Sequence, residues 1–246
     1  MASPINFFEL VSRLSERTFE ERKKAAKAVI QYADKILDDP ESYLAQIWRI
    51  NIEPFEMDWR DGFKAVADAV DINQLQSGVP DFREKKIRGL RIDLTKKAME
   101  YFRESWVLDI ENAIEEVIPS YSERRKLNKM RYLYSEEKSK FIEFISSPEI
   151  LKKVVIATWS RIAENNILPS PTPHEIKKAG QNLRAYIKAY CGYLIKVATE
   201  FAPRPNDRAD LEFFIYIQKD RKLFTYDKKW IQIAKEAGLS HILFYH

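Results

Sequence analysis

The chain is short of the residues that usually mark a chemical site. It has one cysteine, Cys191, in 246 residues. That count excludes an intrachain disulfide and a cysteine-built zinc site, and it fits a reducing, cytoplasmic compartment. His174 has no His or Cys at ligand spacing, so no zinc motif surrounds it. Glycine is scarce, with 6 residues, and no glycine-rich phosphate loop is present. No apolar run reaches membrane-spanning length. The first residues lack the basic and apolar regions of a signal peptide. Charge of one sign is also not in excess. The chain carries 41 basic and 37 acidic residues, a net +4, which is too mild to mark a nucleic-acid binder.

What remains is an apolar and charged chain. The hydrophobic fraction is 45% and the charged fraction 32%, enough for a core in one large domain or two small ones. The pattern is mostly helical. Ser3-Pro4 suits a helix start; Ile5, Phe8 and Val11 then share one helical face, with Phe7, Leu10 and Leu14 widening it. Glu9 sits within that apolar set, where an unpaired buried carboxylate would be costly; the plain alternative is an exposed helix edge. Thr18-Phe-Glu-Glu21 has the form of a capping box. Asp39-Pro40 ends one helix and starts the next. Ser135 starts a helix through Ile145. A further helix from Ser147-Pro148 is apolar around much of its circumference, which predicts a central position. Residues 168–173 form a proline-rich loop, and a long helix is expected over 174–200.

Basic stretches lie at 83–97 and 122–131, the first leading into Tyr101, Phe102 and Trp106. Cations beside aromatics suit single-stranded nucleic acid, and equally suit an amphipathic helix with its rings in the core. Lys23, Lys24 and Lys27 read as a solvated face.

The C-terminal stretch, 206–243, carries the densest pattern. Asp207 and Asp210 open an apolar helix. A strand near 222–226 runs up to Asp227, and a helix and a second strand near 241–245 close the unit. A carboxylate just past a strand end lies where open α/β sheets build their sites. By themselves these acids also read as helix caps and first-turn acids.

Asn206-Asp207, Asp210-Leu-Glu-Phe-Phe, Leu223-Phe-Thr-Tyr-Asp227 and Gly238-Leu resemble the C-terminal third of PIN-like nuclease domains. Ser3-Pro-Ile-Asn-Phe-Phe-Glu9-Leu resembles that family's second acidic motif. The resemblance implies a predominantly helical α/β fold with a small, incomplete parallel sheet and a large helical insertion. The parts would be 1–50 with the Glu motif, 51–202 as the insertion, and 203–246 as the C-terminal unit, within one structural domain. The family's first catalytic Asp lies on a strand that here would precede Ser3. Its absence implies a shortened or degenerate copy. Val107-Leu-Asp109-Ile-Glu-Asn112 looks superficially like that motif, with Glu143 or Glu149 as the second acid, but Ile110 and Ile114 have helical spacing.

The implied activity is metal-dependent hydrolysis of RNA phosphodiester bonds with Mg²⁺ or Mn²⁺. Glu9, Asp210 and Asp227 are the implied catalytic acids, and Asp207 joins them as a metal ligand. Thr225, Arg208, Lys228 and Lys229 would contact substrate. The alternative is a non-catalytic helical interaction or RNA-binding protein. An unfilled sheet edge would invite a protein partner or a second copy.

Overall fold

The computed structural model describes residues 2, 6–7, 10–11, 15–33, 35–51, 59–76, 105–119, 135–163, 168–204, 206–217, 223–224, 227–239 and 243–244. They fall into two compact units, Met1–Tyr43 with Ile52–Phe102, and Leu44–Asn51 with Arg103–His246.

In the first unit, α1 (Phe19–Tyr32) packs on α3 (Trp59–Asp68). Near the start of α1, Lys23 Nζ donates to Ala69 O at 2.8 Å. Past its end, Ala33 O accepts from Arg60 Nη2 at 2.8 Å. The two helices therefore run antiparallel. Their seam is filled by Ala26, Trp59, Phe63, Val66 and Ala67, with Phe7, Leu10 and Val11 laid over it. Phe7 meets Trp59 and Phe63 edge-on, with centroids 5.9 and 5.4 Å apart, the arrangement that ring quadrupoles favour. Thr18 does sit at the N-cap, but it makes no side-chain cap bond. Its hydroxyl accepts instead from Ser15 N–H at 3.0 Å. The helix α4 (Ile72–Gln76) follows.

α2 (Pro40–Trp48) carries the chain into the second unit. Asp39 Oδ1 accepts from Ser42 N–H at 3.0 Å, and Pro40 needs no N–H donor at the first helical position. The second unit holds α5 (105–115), α6 (Ser135–Ile145), α7 (Pro148–Ala163), α8 (Pro173–Asn182), α9 (Arg184–Thr199), α10 (Asp207–Glu212) and α11 (Lys228–Glu236). The central helix is α9 and not α7. Ten residues of α9 are buried, and it packs against α6, α7, α8, α10 and α11. α7 buries only Val155, Thr158 and Ile162, because its lysines keep one side in water. Gly192 of α9 brings α11 close: a Cβ there would lie 3.2 Å from Ile233 Cγ2.

Asp109 lies on α5, exposed, while Ile110, Ile114 and Ile118 are buried. Their spacing of four residues is that of a helix face, so the segment is not a strand carrying a catalytic acid.

The expected α/β class is also overturned. The described backbone is predominantly helical, and no PIN-like parallel sheet is found among the described residues. Extended structure there amounts to a two-residue parallel pairing of Leu223–Phe224 with Leu243–Phe244 and a bridge between Ala2 and Ile36. Two residues a side cannot make a sheet with a face to bury. The apolar helix opened by Asp207 and Asp210 tightens into a 3-10 turn, Phe213–Tyr216, with Phe214, Ile215 and Tyr216 buried. That turn packs against α9.

One polar contact inside the second unit can be tested directly. Trp48 Nε1 donates to Thr158 Oγ1 at 3.1 Å, and the Thr158 hydroxyl donates to Val155 O at 2.7 Å. Thr158→Val keeps the shape but leaves the indole N–H unsatisfied. It should cost about 1–3 kcal/mol in urea unfolding, whereas Thr158→Ser should retain most of the stability.

Candidate functional site

The acids singled out in the C-terminal stretch meet around the N-terminal ends of α10 and α11. Asn206 holds the N-cap position of α10, so Asp207 is the first helical residue and not the cap. It is 1% exposed. Its Oδ2 accepts from the Tyr193 hydroxyl at 2.9 Å and from Arg204 N–H at 3.0 Å. Its Oδ1 accepts from the Lys229 ammonium. That ammonium also lies 4.9 Å from the centroid of Trp230 and 5.7 Å from that of Phe201, a cation–π arrangement on two sides.

Tyr193 is the hub. Its ring stacks on Trp230 at 5.6 Å and on Trp106 at 6.0 Å. The helices α5, α9 and α11 are thereby joined through one side chain, while its hydroxyl holds α10. Nothing in the sequence marked Tyr193 beyond its place in the long helix expected over 174–200. The signal available was a buried phenol, which needs a partner for its hydroxyl.

Asp210 is one turn further along α10. Its Oδ2 accepts from Trp230 Nε1 at 2.9 Å. Burial pushes its carboxyl above the ordinary value. The Trp230 N–H and Lys229 oppose that push, and the nearby charges of Asp227 and Asp207 add to it. Between the ordinary and the raised value, the folded state binds more protons than the unfolded one. Asp210 therefore costs stability above that window, and the cost is relieved as pH falls through it. Asp210→Asn keeps an oxygen for the indole N–H. It should flatten this acid-side slope and leave neutral-pH stability equal or higher, checked by urea midpoints across a pH series.

Asp227 is exposed and caps α11, accepting from Lys229 N–H at 2.8 Å. Lys228 is exposed beside it. Arg208 meets Glu212: its Nε donates to Glu212 Oε1 at 3.2 Å, and Arg161 Nη1 meets the same oxygen at 3.1 Å. Glu9 and Thr225 lie outside the described residues, as do the basic stretches 83–97 and 122–131.

The arrangement bears on metal binding through its donor set. A hard divalent cation needs several oxygens turned toward one point. Both oxygens of Asp207 are turned instead toward protein donors, and an ammonium sits against Oδ1. No group of three or more His, Cys, Asp or Glu side chains able to hold a metal is found among the described residues. Asp207 as placed fits a resident lysine better than Mg²⁺ or Mn²⁺.

Comparison with known proteins gives no relative. No family model, curated protein or solved structure matches the chain. No described helix is long and apolar enough to cross a membrane.

Proposed function

We propose that this chain is a non-catalytic helical binding protein in which the buried acid Asp207 holds the fold together. The observation that supports this is the saturation of Asp207: a buried carboxylate bonded to Lys229, Tyr193 and the Arg204 amide. A metal entering there would have to displace an ammonium and break hydrogen bonds in a buried site, where an unsatisfied donor is costly. The work of such a protein lies on its helical surfaces.

The rival reading, a Mg²⁺- or Mn²⁺-dependent ribonuclease, makes an opposite demand. Labelled single-stranded RNA incubated with the purified chain and either metal should remain intact, and neither metal should raise the melting temperature. Metal-dependent cleavage that disappears in Asp227→Asn would overturn the proposal.

A further inference from the structure

Four Ser-Pro or Thr-Pro steps occur in the chain: Ser3-Pro4, Ser147-Pro148, Ser170-Pro171 and Thr172-Pro173. Such a step has an ordinary structural use. The hydroxyl caps a helix and the proline takes its first position. Ser147 and Thr172 are used in this way. Pro148 opens α7, and Ser147 Oγ accepts from Ile150 N–H at 3.4 Å. Pro173 opens α8. Thr172 Oγ1 accepts from Glu175 N–H at 3.3 Å and donates to Glu175 Oε2 at 2.7 Å. Ser3 lies outside the described residues.

Ser170-Pro171 opens no helix. The chain from 168 to 172 lies between α7 and α8 and belongs to neither. Pro169 and Pro171 fix their own φ, and each biases the residue before it toward extended backbone. Thr172 is extended as well, with φ −72° and ψ 157°. Ser170 is exposed, and its hydroxyl makes no hydrogen bond among the described residues. Helix capping therefore accounts for Ser147 and Thr172 and leaves Ser170 with an open hydroxyl on an extended, exposed stretch.

We infer that Ser170 is a phosphorylation site, the acceptor for a proline-directed protein kinase. The kinase cleft takes its substrate as extended chain. Residues on both sides of Ser170 meet that demand, whereas the chain beyond Thr172 is already helical. The Thr172 proton is also held by Glu175. In the transfer, Ser170 Oγ bonds to the γ-phosphorus of ATP. The bond from that phosphorus to the β-phosphate oxygen breaks and ADP leaves, while the hydroxyl proton passes to the kinase's catalytic Asp. Pro171 presents no N–H that the cleft must satisfy. The product carries about −1.5 to −2 charge just ahead of α8, where the helix dipole favours negative charge. His174 and Lys177, near that end, are exposed. The folded chain can therefore accept the phosphate, and Ser170 offers its hydroxyl whether or not the chain binds a partner.

The test incubates the full chain with a proline-directed serine/threonine kinase and Mg·ATP, and maps the phosphate by tandem mass spectrometry. The intact chain should take a single phosphoryl group, on Ser170. Ser170→Ala and Pro171→Ala should each lose it, and Thr172→Ala should keep it. Glu175→Ala, which removes the carboxylate of the capping box, should add labelling at Thr172. Ser170→Ala should melt at the same temperature as the parent chain, since its hydroxyl holds nothing. Labelling of the intact chain at Ser147 or Thr172 in place of Ser170 would overturn the inference. So would no labelling of the intact chain under conditions that label a synthetic peptide of the same loop. A lower melting temperature for Ser170→Ala would also overturn it, by showing that the hydroxyl is structural.

Discussion

Asp207→Ala is expected to destabilise the second unit by about 3–5 kcal/mol, the range seen when one partner of a buried ion pair is removed. Three donors lose their acceptor at once. The Tyr193 hydroxyl lies on a fully buried residue and cannot turn to water, so its orphaning alone costs about 1–3 kcal/mol. The Lys229 side chain is 21% exposed, and its ammonium recovers some hydration, so it contributes less. The Arg204 amide loses the bond that fixes the entry to α10. Asp207→Asn retains an acceptor oxygen and should cost less than the alanine. Lys229→Met should fall between them, because the carboxylate stays buried with two donors still in place. Denaturant midpoints followed by near-ultraviolet circular dichroism report on the stacked rings directly. A loss below about 1 kcal/mol for Asp207→Ala would show that the contact does not hold the fold, and would return Asp207 to the list of available ligands.

Much of the helical order was legible because it rests on local chemistry. Ser135–Ile145 forms as expected. Pro40 and Pro148 open their helices, since proline fits only where no N–H is needed. The helical spacing of Ile110 and Ile114 also read correctly. Other features depended on distant residues. Thr18-Phe-Glu-Glu21 looked like a capping box and is not one, while Thr172-Pro-His-Glu175 forms a complete one; the same spacing was available there inside what read as a loop. The central helix was placed one helix pair too early. Its burial is decided by how many neighbours converge, which one helix's own composition does not show. The sheet was overread because the runs near 222–226 and 241–245 read as full strands, whereas the described pairing there is two residues a side.

The candidate site divided in the same way. Asp207, Asp210 and Asp227 were found as a group, because acids cluster at helix starts for reasons visible in sequence. Their roles were not visible, because each depends on a donor elsewhere in the chain. Lys229 was read as a phosphate contact, yet its charge is spent on Asp207. Tyr193, whose hydroxyl holds Asp207 and whose ring stacks on Trp230 and Trp106, was unmarked. A pattern of acids is the same on paper whether a metal or a lysine faces it.

Trp230→Ala is the second large effect, at about 3–5 kcal/mol for loss of a buried Trp ring. The residue is 2% exposed. It stacks on Tyr193 at 5.6 Å and lies 5.8 Å from Phe214, so its removal opens a cavity between α9, α11 and the turn after α10. Tyr193 and Asp207 share that network, and the Trp230→Ala and Asp207→Ala losses should not add. Trp230→Phe separates ring from N–H. It keeps an apolar ring in the stack and should cost less than the alanine, but it removes the donor that opposes the upward push on Asp210. The Asp210 carboxyl should then rise further, and the loss of stability with increasing pH should extend to higher pH in this variant. Asp210→Asn in the Trp230→Phe background should abolish that dependence. An unchanged pH profile in Trp230→Phe would mean that the indole N–H does not stabilise the ionised Asp210, and that the ring acts in this site through packing alone.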